Sequence, residues 1–133
     1  MMTYLDSCIV ISLVTGSAEI RQLLRSESLR QGEPVHCVSG LVRSESLVDP
    51  YRRQDIILQR RYQTYFEAVE EVELHPSIWD LAARIRAESR LKLPDALHIA
   101  IAEMSGCDVF WTADSDYRSI RYPLRIKILI TQL

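Results

Sequence analysis

Short β-prone runs alternate with helix-patterned segments along this chain, and that alternation constrains its fold more than any other feature. Thr3-Tyr4-Leu5, Val35-His36-Cys37-Val38, Val109-Phe110-Trp111-Thr112 and Ile126-Lys127-Ile128-Leu129-Ile130 are the strand candidates, with Val72-Glu73-Leu74 as a shorter one. Between them, apolar residues recur at helical spacing. Helices are predicted from Asp6 or Ser7 to Val14, and over 18–30 with Ile20, Leu23, Leu24 and Leu29 inward. Ser39-Gly40 opens another, which Pro50 should interrupt. A long amphipathic helix follows over 51–71, with Ile57, Leu58, Tyr62, Tyr65, Phe66 and Val69 on its apolar side, and another runs over 76–89. The last opens at Pro94, which suits a first helical position, and stops at Gly106. Strands that alternate with helices build βαβ units, so the fold class is α/β, with a mainly parallel sheet covered on both faces.

With 133 residues, 47% of them hydrophobic, the chain is expected to form one domain over 1–133 with a sizeable core. No apolar run approaches the ~20 residues of a membrane span. Met1-Met2-Thr3-Tyr4-Leu5-Asp6 lacks the basic, then long apolar, pattern of a signal peptide, so the expected location is cytoplasmic, with no membrane partner. Cys8, Cys37 and Cys107 are odd in number and lie in apolar surroundings; they read as buried thiols. Net charge is −2, which excludes a generally basic nucleic-acid binder, yet all but Lys92 and Lys127 of the basic residues are Arg. Arg grips phosphate and carboxylate with a planar fork that Lys cannot copy.

The acids are placed tellingly. Asp6 follows the first strand candidate, Glu45 lies two turns into the helix after the second, and Asp114 and Asp116 follow the Val109 strand. In parallel sheets, sites lie beyond the carboxyl ends of the strands. Asp95, in the first turn of its helix, would alone be read as a complement to the helix dipole; the other acids change that reading. Four carboxylates converging on one point repel one another unless compensated, and hard divalent cations such as Mg²⁺ or Mn²⁺ compensate them. Hydrolysis of a phosphodiester is the chemistry such a site serves best.

Four segments carry a family resemblance: Tyr4-Leu5-Asp6-Ser7, Ser39-Gly40-Leu41-Val42-Arg43-Ser44-Glu45, Pro94-Asp95-Ala96-Leu97-His98-Ile99-Ala100 and Thr112-Ala113-Asp114-Ser115-Asp116-Tyr117. In order and spacing they resemble the four acidic motifs of PIN-domain ribonucleases, most of all the toxins of VapBC-type toxin–antitoxin pairs. The resemblance implies a three-layer α/β/α fold with a central parallel sheet, Mg²⁺ or Mn²⁺ dependence, cleavage of single-stranded RNA, homodimerisation and inhibition by a cognate antitoxin. It casts Asp6, Glu45, Asp95 and Asp114 as catalytic metal-binding acids, Asp116 as a further metal-binding acid and Thr112 as a hydroxyl beside the site. Ala113 departs from the family, where Asn is frequent; this puts one polar contact near the site in doubt.

Other residues have two readings each. Ser7 is either a hydroxyl supporting the site or a helix cap, and Arg86, Arg90 and Lys92 are either RNA phosphate contacts or solvated surface. His98 reads as a structural or interface histidine before a catalytic one; Trp79 and Trp111 read as core, and Asp49 and Asp55 as loop and surface acids. The aromatic residues of 51–71, with the helix through 41–47, suggest an antitoxin groove, and 76–89 with the start of the Asp95 helix a dimer face. The alternatives are a housekeeping PIN nuclease without an antitoxin and a non-catalytic α/β module that binds RNA or a partner. A receiver domain lacks its Lys after a late strand, and a dinucleotide-binding domain lacks its glycine loop, since Gly16, Gly32, Gly40 and Gly106 are scattered.

Overall fold

The structure, a computed structural model, describes residues 1–133. Five strands form one parallel sheet: β1 (Met2–Leu5), β2 (Val35–Val38), β3 (Glu70–Glu71), β4 (Val109–Thr112) and β5 (Lys127–Ile130), in the order β3-β2-β1-β4-β5. Six helices connect them: α1 (Ser7–Thr15), α2 (Ala18–Arg30), α3 (Gly40–Arg52), α4 (Ile56–Ala68), α5 (Ile78–Ala87) and α6 (Leu93–Met104), with a 3₁₀ turn over Ser115–Ser119. The α/β class and the PIN-like architecture follow.

β1 lies at the centre because it is apolar on both faces. Tyr4 pairs in register with Cys37 on one side and Phe110 on the other, and its ring stacks on that of Phe110. The chain leaves β1 toward β2 and β3, then crosses back to β4 and β5. Right-handed crossovers therefore put α1–α4 on one face and α5–α6 on the other. Helix contacts divide the same way, except that α3 and α6 meet at one end of the sheet. The reversal of direction between β1 and β4 opens a crevice beyond their carboxyl ends, where α/β sheets place ligands.

Several expectations need correction. Pro50 does not interrupt α3: it is buried inside the helix, which continues to Arg52. Its ring leaves the Ser46 carbonyl without the usual i+4 donor, a local loss that the helix absorbs. The predicted 51–71 helix is broken at Arg53-Gln54-Asp55. Gln54 adopts φ +52°, and the Asp55 carboxylate caps α4 by accepting from Leu58 N–H at 3.0 Å. Asp55 is thus a capping residue, and Asp49 lies in α3 paired with Arg53, not in a loop. The third strand is Glu70–Glu71 and not 72–74; Val72 adds one bond, its N–H donating to the Val38 carbonyl at 2.8 Å, and the charges of the two glutamates guard the sheet edge.

Of the residues expected inward on α2, only Leu24 is buried, while Leu23 and Leu29 are exposed; the helix packs mainly on α1. Trp79 is 60% exposed, whereas Trp111 is fully buried. The buried face of α5 is Ile78, Ala82 and Ile85, at helical spacing, and Trp79 points away from it. Cys37 and Cys107 are buried free thiols, as expected; Cys8 is only half-buried. No helix is long and apolar enough to cross a membrane.

Candidate functional site

The crevice beyond β1 and β4 gathers the acids. Asp6 leaves β1 and caps α1, its Oδ1 accepting from Ser7 N–H at 2.8 Å. Its Oδ2 accepts the Thr112 hydroxyl at 2.6 Å from the end of β4. The same Thr112 oxygen accepts the Asp114 N–H at 3.0 Å, so one hydroxyl ties together the turns after the two strands. Asp114 caps the 3₁₀ turn through Asp116 N–H at 2.8 Å. Asp95 lies in the first turn of α6, where the Tyr117 hydroxyl donates to its backbone carbonyl at 3.3 Å.

Glu45 reaches the crevice from α3. The Ser7 hydroxyl donates to its Oε1 at 2.5 Å, and His98 Nε2 makes a short hydrogen bond to the same oxygen. Burial pushes the Glu45 carboxyl up, but the bonds from His98 and Ser7 outweigh it and hold the group below the ordinary glutamate value. An ionised carboxylate only accepts, so His98 Nε2 carries the hydrogen of that bond. Behind it, His98 Nδ1 lies 2.8 Å from the Tyr4 hydroxyl, which lies 2.7 Å from Ser39 Oγ. Burial pushes the Tyr4 phenol well up, so it keeps its proton. One consistent polarity runs along the chain when the imidazole is neutral: Ser39 donates to Tyr4, Tyr4 to His98 and His98 to Glu45. Ser39 stands at the N-cap of α3, yet its hydroxyl makes no capping bond. It serves Tyr4 instead.

The other acids lack such partners. No protein donor reaches the carboxylates of Asp95 or Asp116. Burial pushes the Asp95 carboxyl above the ordinary aspartate value, and the charges of Asp6, Asp114 and Glu45 push it further, against a smaller opposing effect of His98. Burial likewise pushes the Tyr117 phenol up, and Asp6, Asp95 and Asp114 add to that effect. The four predicted acids thus share one electrostatic field. They do not yet close into a coordination shell: no three acidic, His or Cys side chains surround a single point in ligand geometry.

Each remaining sequence candidate has a place. Ser7 is not the α1 cap, which is Asp6; its hydroxyl serves Glu45. Ala113 offers only its backbone N–H, which donates to Cys8 Sγ at 3.3 Å. Arg90 and Lys92 are exposed just before α6; the Arg86 Nε donates to the Leu91 carbonyl at 3.2 Å. His98, read first as structural or at an interface, is 1% exposed and lies against Glu45 within the site. Its place one helical turn after Asp95 is the signal the sequence offers. Tyr4 and Ser39 give no such signal, since neither carries a charge and their partners are distant in sequence.

Comparisons with known proteins bear on the fold and the family. No curated protein is significantly similar in sequence. Among solved structures, the fold is similar to that of VapBC2 from Rickettsia felis bound to a promoter DNA fragment, with TM-score 0.78 and 12% identity over 99% of this chain and 100% of that one. A toxin–antitoxin complex from Klebsiella pneumoniae gives 0.75 and 20%, over 98% and 99% of the two chains. The sarcin-ricin loop cleaving toxin VapC20 of Mycobacterium tuberculosis gives 0.67 and 16%, over 94% and 98%. The family model described as PIN domain matches residues 3–121, a span that holds every acid of the crevice; the chain belongs to the PIN-domain family.

Proposed function

We propose that this protein is a metal-dependent endoribonuclease and the toxin of a toxin–antitoxin pair. The observation that carries the reading is the gathering of Asp6, Glu45, Asp95 and Asp114 beyond the carboxyl ends of β1 and β4, with no protein donor on the Asp95 carboxylate; the raised Asp95 carboxyl agrees with it. All the converging donors are carboxylate oxygens, which suit Mg²⁺ or Mn²⁺. Asp6, Glu45, Asp95 and Asp114 would hold the cation, with Asp116 contributing from the 3₁₀ turn. A divalent cation bound there supplies an activated water and stabilisation of the leaving oxygen of a phosphodiester. Thr112 orients Asp6, while Ser7 and His98 hold one oxygen of Glu45 and leave the other for the crevice. Arg90 and Lys92, exposed at the entry to α6, are placed to meet RNA phosphates, with Arg86 nearby on α5.

A cognate antitoxin has a suitable surface beside this site. A cleft of about 530 Å³ between α1, α3 and α4 is lined by Ile11, Glu45, Ile57, Arg61 and Tyr62 among others. Ile57 is 71% exposed, an unusual position for Ile in a folded monomer. A partner helix seated on Ile57 would bring a basic side chain to Glu45. The relatives from Rickettsia felis and Klebsiella pneumoniae are toxin–antitoxin assemblies, which supports the reading. Exposed Trp79 on α5 and Leu93 at the start of α6 are the candidates for a homodimer face.

The test is cleavage of a set of structured RNAs with Mg²⁺, Mn²⁺ or EDTA, followed by mapping of the cut ends. Cuts at defined single-stranded positions that vanish with EDTA are expected. Cleavage that survives EDTA would overturn the reading.

A further inference from the structure

We infer that the turn joining α5 to α6 and the end of the 3₁₀ turn, with the residues just after it, together form a phosphodiester-backbone subsite, with Arg90, Arg118 and Arg121 as its cationic wall. The inference rests on the ribonuclease reading and gives the substrate strand a direction of approach. The three guanidinium groups line an open cleft of about 550 Å³ with Ser89, Ser119 and a single acid, Glu88. All three arginines are exposed, and none takes part in an ion pair. Arg30, Arg43, Arg53 and Arg125 have carboxylate partners, and what sets Arg90, Arg118 and Arg121 apart from the other unpaired arginines is that all three share one cleft. Three arginines against one acid leave the cleft net positive, and such a wall attracts polyanions from solution.

Three hydrogen bonds hold the walls of the cleft. The Arg90 backbone N–H donates to Ser119 Oγ at 3.1 Å, which fastens the two segments together. The Arg121 guanidinium donates to the carbonyls of Arg118 at 3.0 Å and Ile120 at 3.2 Å, which restricts its direction. The cleft shares its two segments with the acids: Arg90 lies just before the α6 turn that holds Asp95, and Arg118 belongs to the 3₁₀ turn capped by Asp114. On the ribonuclease reading, a strand whose scissile phosphate sits at the acids passes a neighbouring phosphate to these arginines. Contacts of this kind position the chain without reading its bases. Lys92 and Arg86 do not line the cleft.

The experiment measures binding of a short fluorescein-labelled single-stranded RNA by anisotropy over a range of KCl concentrations in EDTA, and KM and kcat with Mn²⁺. Arg118→Ala with Arg121→Ala should reduce the slope of log affinity against log salt by about 1.4, at about 0.7 for each phosphate no longer neutralised. KM should rise about tenfold with kcat within about twofold. A matched single-stranded DNA should show the same loss of slope, since the arginines grip phosphate. Arg118→Lys with Arg121→Lys should restore most of the slope. An equal loss in the exposed α2 pair Arg21→Ala with Arg25→Ala would reduce the effect to net charge and overturn the proposal. An unchanged slope and KM in the Arg118, Arg121 variant would also overturn it, and would leave the cleft to an acidic protein segment. A wild-type protein that neither binds nor cleaves RNA would overturn the ribonuclease reading itself.

Discussion

The two halves of the acidic crevice are built differently. On the β1 and α3 side, Asp6 and Glu45 are held by protein donors: Ser7, Thr112 and His98, with Tyr4 and Ser39 behind. On the α6 and 3₁₀ side, Asp95 and Asp116 have no donor on their carboxylates, and Asp114 has one, to Oδ1. One half is fixed in advance and the other is left with its charge unmet. On the proposed reading, the first half sets the orientation of its carboxylates through protein hydrogen bonds, and the second leaves its carboxylates for the cation. The difference also explains why the acids influence one another before any coordination shell exists.

The largest expected effect strikes the fixed half. Asp6→Asn should lower RNA cleavage by about a thousandfold or more, since several kcal/mol of charge stabilisation is lost, while circular dichroism and melting stay near wild type. Full activity in a preparation free of contaminating nuclease would refute the assignment. Next comes the support of Glu45. His98→Leu should weaken Mn²⁺ binding, measured by calorimetry, by about 10- to 100-fold, the usual cost of losing the group that orients a metal ligand. His98→Gln, which keeps a donor, should recover part of that loss; if both variants bind equally, the hydrogen bond to Glu45 has no role in the site.

A smaller effect is expected on the open half. Asp116→Asn should reduce cleavage by about three- to tenfold, less than Asp114→Asn, because Asp116 is exposed and unsupported. Equal and complete loss in both at saturating metal would give the two acids the same rank. The smallest effect concerns the protein without metal. The Asp95 carboxyl is raised on folding, so its ionisation opposes the fold. Its cost is absent below the unfolded aspartate pKa, near 3.9, grows as pH rises toward the raised folded value and is constant above it. Asp95→Asn should therefore be slightly more stable than wild type in EDTA at neutral pH, and this advantage should disappear at low pH. Urea titrations at several pH values would measure it, and a neutral-pH loss of stability would contradict the shared field.

Much of this molecule is legible in its sequence where cause and effect are local. The Pro94 start of α6, the strand after Gly32 and the alternation that makes the sheet parallel all depend on neighbours a few residues apart. So do the acids, which betray themselves by following strands or opening helices. The break at Gln54 is hidden because a non-glycine residue takes a left-handed conformation inside a run with unbroken helical spacing. Trp79 misleads because size suggests core, while its register on α5 settles its exposure. The hydrogen-bonded support of Glu45 is the least visible, since Tyr4 and His98 lie 94 positions apart and only the completed sheet brings them together.

The uncapped start of α3 has a consequence for what mutation can reveal. Ser39 stands where a serine would ordinarily bond the first turn of its helix, and that bond is worth about 1 kcal/mol. Its hydroxyl is borrowed by Tyr4. In Tyr4→Phe the ring still fills its place beside Phe110, and Ser39 becomes free to turn back and cap α3. That gain is set against a buried His98 Nδ1 left without its donor, a loss of about 1–3 kcal/mol. The melting temperature should therefore fall by less than the lost bond alone would cause, while the hydrogen-bonded support of Glu45 is cut in full.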